Sequence, residues 1–347
     1  MSNQHQRLAT LDTFRGMAAL AVVLFHLTLH QAGAPFQMGW GATGVDLFFI
    51  ISGFVIFMTL NKTSSALDFV IARFSRLYPV YWTSVTLTAL FMVVGSYLGY
   101  SQVSWSEYVA NMTMFQHYLG IRDLDGSYWT LLVEMLFYGL MLLVFWIKKI
   151  DHLEWYGLGL VIVQIITHSW LRLSFPFIYT TIQEVFPLIN HFQLFWAGIV
   201  FYQIHQQGYN KSRVAAIVLA YIVTLYLYDK TGRSHLFVTP LTYFITSTVY
   251  FLLFFLFVSQ RLEWINNRIT IFLGAISYSL YVIHHYFMVG VITILQDQFK
   301  WSYSLAAFIA LISAILLASL ITYFIEKPSL KYLRKWYNSK KAMYQTI

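Results

Sequence analysis

The chain contains no cysteine, which excludes disulfide frameworks and thiolate metal sites. Charge is scarce as well: 10% of residues are Asp, Glu, Lys or Arg, against about 25% in soluble domains. No repeat, low-complexity tract or linker interrupts it, and no P-loop, nucleophile elbow or metal-ligand spacing appears. The first apolar stretch lacks a small-residue cleavage site and runs straight into another, so it does not read as a signal peptide.

What is present is apolar. Hydrophobic residues make up 59% of the 347, and the mean hydropathy is +0.62, so the fold class expected is an all-α polytopic membrane bundle. Aromatic residues reach 19%, with 25 Tyr and 11 Trp, as suits many helix ends at a membrane interface. Segments long enough to cross about 30 Å of hydrocarbon are expected near residues 13–31, 40–60, 77–98, 128–147, 155–171, 188–206, 214–228, 238–258, 271–294 and 303–326. That predicts about ten helices.

An even number of crossings puts both termini on one side. With those termini inside, all but five of the 22 Lys and Arg fall on the cytoplasmic side, the exceptions being Arg122, Arg172, Lys230, Arg233 and Lys300. Both termini are therefore expected to be cytoplasmic. The formal charge of +8 is accounted for by this bias and by anionic membrane lipids, with no nucleic acid partner implied. Lys148, Lys149 and the C-terminal lysines read as anchors, and residues 327–347 as a basic amphipathic cytoplasmic tail. The expectation is one transmembrane domain, 1–347. Asn111-Met112-Thr113 fits a glycosylation sequon, a triplet too common to carry weight.

Ionisable groups at membrane depth are costly and point to function. Arg15 and His26 are eleven residues apart in LDTFRGMAALAVVLFH, which on a helix is about 20° in azimuth and about 16 Å along the axis. They share a face, with Arg15 at the cytoplasmic mouth and His26 in the outer half. Asp46 in GVDLFFIISGF and Glu134 in YWTLLVEMLFY each lie about 9 Å below the outer surface, and His284 in ISYSLYVIHH is near the same level. Imidazoles among carboxylates suit buried proton transfer. Arg73 and Arg76 in RFSRLYPVYW are three apart and face one way. With Arg15 they form a basic layer suited to phosphates. One helix would thus hold both the handle and the reaction centre of a phosphorylated cofactor, separated by about the length of a pantetheine arm.

These stretches, with the closing IEKP, occur in the order found in the acyltransferase family 3 membrane proteins, which the chain resembles over nearly its whole length. Arg15 and His26 match that family's arginine–ten residues–histidine pattern, and Arg73 and Arg76 its RxxR pattern. One departure is Thr130, where relatives often carry serine; the hydroxyl is kept. The resemblance implies a bacterial inner-membrane O-acyltransferase that draws an acetyl group from cytoplasmic acetyl-CoA and delivers it to a glycan or glycolipid acceptor on the far side, with no metal and no fused SGNH domain.

On that reading His26 is the general base, against the alternative of a packing histidine bonded to a carbonyl. Direct transfer and an acyl-histidine intermediate stay equally open. Glu134 and Asp46 orient the histidine or grip the acceptor, or else form structural interhelical hydrogen bonds. Arg15, Arg73 and Arg76 contact the phosphates of acetyl-CoA, or anchor the helices. Trp129 and Tyr128 stack on a sugar or join the outer aromatic belt. His284 assists acceptor binding or else packs, since its neighbour His285 faces elsewhere on the helix and one of the pair is expected to pack. Ser52-Gly53 reads as close helix packing, and Glu326 with Pro328 as a helix stop. The rival class is a proton-coupled transporter of an anionic or acylated substrate. The particular glycan and hydroxyl, the choice between acetyl and another short acyl group, and the oligomeric state are not readable.

Overall fold

In hydrocarbon, backbone N–H and C=O groups have no water to bond, so apolar segments must satisfy them internally as helices. The computed structural model describes residues 2–29, 34, 37–97, 99, 102–148, 153–231 and 234–345, and among these there is no strand. Lys149 and Arg233 lie outside the described residues. The α-helices are α1 Ser2–Thr28, α2 Gly44–Leu60, α3 Ala66–Ser96, α4 Trp105–Asn111, α5 Trp129–Trp146, α6 Leu153–Ile166, α7 Arg172–Ser174, α8 Pro176–Val185, α9 Phe192–Gln207, α10 Lys211–Tyr226, α11 Pro240–Val258, α12 Arg268–Phe299, α13 Tyr303–Ile321 and α14 Lys327–Gln345.

Among the described residues, eight helices are long and apolar enough to span a bilayer. The expected crossings at 188–206 and 214–228 are the exceptions. They fold as α9 and α10, of 16 residues each, or about 24 Å at 1.5 Å per residue, which is shorter than the hydrocarbon core. Helix α3 begins at Ala66, earlier than hydropathy suggested, because Ser65 caps its start by accepting the Asp68 N–H at 3.1 Å.

The chain forms two compact units: residues 1–25, 38–62 and 133–274, and residues 26–37, 63–132 and 275–347. The first is built around α2 and α9. Lipid tails are as apolar as leucine, so helices there associate by close packing of small residues. A Cβ added to Gly53 would lie 2.0 Å from the Phe195 carbonyl oxygen, and one added to Gly198 would lie 2.1 Å from that of Ile50. The backbones touch, as expected for Gly53. Phe195 then stacks between Phe49 and Phe137, with ring centroids at 4.8 and 4.3 Å. Helix α1 approaches the start of α12 in the same way, since a Cβ on Gly274 would meet the Asp12 carbonyl oxygen at 2.2 Å.

In the second unit, α3 carries Pro79 in its interior. Its Tyr78 hydroxyl donates to the Thr113 carbonyl at 3.1 Å, and its Trp82 indole to that of Met112 at 2.9 Å. Helix α4 opens with a capping box between Ser104 and Glu107. Glu107 also pairs with Arg122 at 2.6 Å. The Ser104 N–H first, and Arg122 second, hold its carboxyl below the usual carboxylate range. Asn111 is fully buried and donates to the carbonyls of Glu107 and Arg122 while accepting from the Leu124 N–H. The sequon asparagine is a loop organiser.

Pro328 does not stop a helix. The chain runs on into α14 through a π-helical segment, Thr322–Glu326. Phe324, four residues before the proline and the residue whose carbonyl a proline ring would crowd in a regular helix, lies within that wider turn. Glu326 accepts from Ser279 at 3.3 Å, and Ser279 from Thr322 at 2.8 Å. The tail is a helix docked on the start of α3, where Asp68 receives Lys341 at 2.8 Å and the Tyr337 hydroxyl at 2.9 Å.

Gly53→Ala is expected to destabilise the protein by about 2 kcal/mol or more, because the added methyl meets backbone that cannot yield. Gly139→Ala, where a Cβ meets nothing within 4 Å, is the matched control. Thermal unfolding in detergent, followed by tryptophan fluorescence, distinguishes the two.

Candidate active site

Helix α1 delivers His26 in its last turn. The end of that helix is tied down by Tyr303, whose hydroxyl donates to the Leu27 carbonyl. Helix α12 brings His284 and His285 to the same place. His26 Nδ1 lies 3.1 Å from His284 Nε2, and the His26 and His285 ring centroids are 4.1 Å apart at 37°. The expectation that His285 faces elsewhere is therefore corrected. Adjacent residues on a helix point about 100° apart, and α12 is turned so that His26 sits between the two directions.

A loop that sequence reasoning passed over controls that rotation. Asp125 is buried, and its Oδ2 accepts the Tyr286 N–H at 2.8 Å, while Oδ1 accepts from the Ser127 N–H at 2.9 Å and the Ser127 hydroxyl at 2.6 Å. Gly126 lets the His285 ring lie against the loop, since a Cβ there would fall 2.3 Å from Nδ1. The only sequence signal was a buried-type acid beside a glycine, DLDGSYW, which also reads as an ordinary turn.

His284 is fully buried. Its Nδ1 lies 2.8 Å from the Tyr281 carbonyl oxygen. The Tyr281 hydroxyl in turn meets Thr130 Oγ1 at 2.8 Å, and Thr130 donates to the Ser127 carbonyl at 2.8 Å. The hydroxyl kept at position 130 thus links α5 to α12. Tyr128 is fully buried edge-on to Tyr81, with centroids 5.0 Å apart. This takes it away from the outer aromatic belt. Trp129 beside it is part-exposed.

The two carboxylates belong to the first unit. Asp46 is buried near Tyr243, and its Oδ2 has no hydrogen-bond partner among the described residues. Glu134 Oε1 accepts from Ser52 at 2.9 Å and from the Tyr138 hydroxyl one helical turn on. Ser52, expected as a packing residue, is a hydrogen-bond donor. The anticipated grouping of Asp46 and Glu134 with the histidines rests on depth alone, whereas the bonds seen, all at Glu134, are to hydroxyls.

The basic residues also divide. Arg15 pairs with Asp12 at 2.9 Å in the first unit. Beside it Thr13 and Thr10 bond to Asn266 at 3.0 and 2.8 Å. Arg73 and Arg76 are part-buried on α3 in the second unit, with Arg73 over the Phe69 ring at 5.9 Å. Arg76 has no ion-pair partner among the described residues. A guanidinium in that condition suits an anionic ligand.

A family model described as an acyltransferase domain matches residues 8–323. The chain is 27% identical over 297 residues to ORF330 of Acidianus two-tailed virus, a protein provisionally named as an acetyltransferase; the match covers 81% of this chain and 83% of that one. It is 28% identical over 162 residues to the peptidoglycan O-acetyltransferase OatA of Listeria monocytogenes, covering 40% of this chain and 25% of OatA. It is 36% identical over 78 residues to the exopolysaccharide production protein ExoZ of Rhizobium meliloti, covering 22% of each. The chain thus spans a quarter or less of the length of those two relatives. No solved structure matches it. With eight membrane-length helices among the described residues, a family match across most of its length and these relatives, the chain belongs to the acyltransferase 3 family and is a multi-pass integral-membrane acyltransferase.

Proposed function

We propose that the protein moves an acetyl group from acetyl-CoA to a sugar hydroxyl of a polysaccharide or its lipid-linked precursor, as an O-acetyltransferase of the cytoplasmic membrane. The observation that carries this reading is the bonded pair of His26 and His284 at membrane depth, in a chain of this family. Water-poor surroundings make a paired imidazole expensive to keep for packing alone. The named relatives that act on peptidoglycan or serve exopolysaccharide production point to a glycan acceptor.

In this mechanism His26 accepts the proton of the acceptor hydroxyl as its oxygen attacks the thioester carbonyl. The carbon–sulfur bond then breaks, the acetyl group stays on the sugar oxygen, and the proton leaves with the thiol. Arg73 and Arg76 hold phosphates of the donor from the cytoplasmic side, with Arg15 in support, and both termini are assigned to that side by the lysine and arginine bias. Glu134, held by the Ser52 hydroxyl, and Asp46, with a carboxylate oxygen that has no hydrogen-bond partner among the described residues, serve the acceptor. Trp129, part-exposed next to the site loop, is the aromatic surface assigned to the sugar. The assignment of Tyr128 to sugar stacking is withdrawn, because a ring with no exposed surface has none to offer. Residues 8–323 of the family match draw on both structural units, and we assign 1–347 to one transferase domain.

Protein in lipid nanodiscs, given acetyl-CoA labelled in the acetyl group and a membrane glycolipid pool, should form base-labile label on glycan. His26→Ala should lose this by about 100-fold or more, the usual scale of a general base. Equal labelling by both would remove His26 from the chemistry, and substrate flux without labelling would favour a transporter. In the same assay Arg76→Ala should raise the KM for acetyl-CoA by about tenfold with kcat little changed, the signature of lost ground-state binding.

A further inference from the structure

We infer that His284 is a positioning residue that sets the tautomer of His26, so that the nitrogen acting as base is Nε2. The inference rests on the reading of His26 as general base and follows from one chain of hydrogen bonds.

The chain starts at an atom whose role is not negotiable. The Tyr281 carbonyl oxygen can only accept. His284 Nδ1, at 2.8 Å from it, must therefore carry a hydrogen. In a neutral imidazole the other nitrogen then holds a lone pair, so His284 Nε2 accepts. Its partner at 3.1 Å is His26 Nδ1, which must donate. A neutral His26 that carries its hydrogen on Nδ1 has its lone pair on Nε2. The base reading of His26 also requires His284 to be neutral. Were His284 charged, its Nε2 would donate, His26 Nδ1 would accept, and Nε2 of His26 would carry a hydrogen and could take no proton.

The work given to a carboxylate in many histidine-based sites is done here by a neutral ring anchored on a main-chain carbonyl. The anchoring is built into the fold. Asp125 ties α12 through the Tyr286 N–H, Thr130 holds the Tyr281 side chain, and the His285 ring lies tilted over the other side of His26. When His26 takes the acceptor proton, its Nδ1–H remains directed at His284, so no ring rotation intervenes between proton uptake and release.

The test uses full-length protein labelled with 15N-histidine in nanodiscs, with the His26 signals assigned by their loss in His26→Asn. At a pH where the rings are neutral, wild type should show His26 protonated at Nδ1 and unprotonated at Nε2. His284→Gln, whose amide oxygen can still accept from Nδ1, should keep that tautomer and stay within about tenfold of wild-type kcat. His284→Leu should release it to a mixture and lower kcat by about 100-fold, the scale of a misplaced catalytic group, with the KM for acetyl-CoA unchanged. A wild-type His26 protonated at Nε2, or a His284→Leu protein that keeps both tautomer and kcat, overturns the inference. If His284→Leu does not fold, the wild-type tautomer and the Gln variant decide it. Full activity in His26→Ala would instead refute the base reading while leaving the tautomer measurement standing.

Discussion

A polar group inside hydrocarbon has no water to fall back on, and the arrangement of this protein follows from that constraint. Most of the ionisable side chains that the sequence places at depth are found with a partner. His284 has a carbonyl and an imidazole, and Glu134 a serine and a tyrosine, while Asp46 keeps an unpartnered carboxylate oxygen. The partners are mostly neutral hydroxyls and carbonyls. A hydroxyl satisfies a buried acceptor without bringing a second charge out of water, which is the expensive part of a buried ion pair. The ion pairs between described residues lie in loops and at helix ends, as for Arg122 with Glu107 and Lys341 with Asp68, or join neighbouring turns of one helix, as for Arg15 with Asp12.

The same solvent explains how the helices meet. With no hydrophobic drive to expel lipid, contact depends on close approach, and Gly53, Gly198 and Gly274 each sit where another backbone leaves no room for a side chain. Aromatic rings fill what the glycines leave, as Phe195 does between Phe49 and Phe137. The tight seams give α2 and α9 one mutual register, and Ser52, beside Gly53 on α2, donates to Glu134 on α5.

Much of this was legible beforehand. The helical class and eight of the ten crossings follow from hydropathy and length, because each spanning segment carries its own signal. The pairing of His26 with His284 was anticipated only as a shared level. Rise per residue yields depth, but it says nothing about which way a neighbouring helix is rotated. His285 shows the cost: spacing along α12 places it 100° from His284, and only the rotation of α12 about its axis reveals that both rings reach His26. Asp125 was missed because its role is to bind a main-chain N–H, an interaction without a motif. Pro328 misled because a proline reads as a stop, while a π-turn upstream absorbs it.

Composition and periodicity determined the solvent, the helices and the presence of costly polar groups along them, since burying any one residue has a price that its neighbours in sequence disclose. The partners of those groups, the seam between α2 and α9 and the carbonyl that orients His284 were decided by tertiary structure. Helix rotation and separation are properties of packed pairs, set by side-chain volumes brought together from distant segments, and no local pattern encodes them.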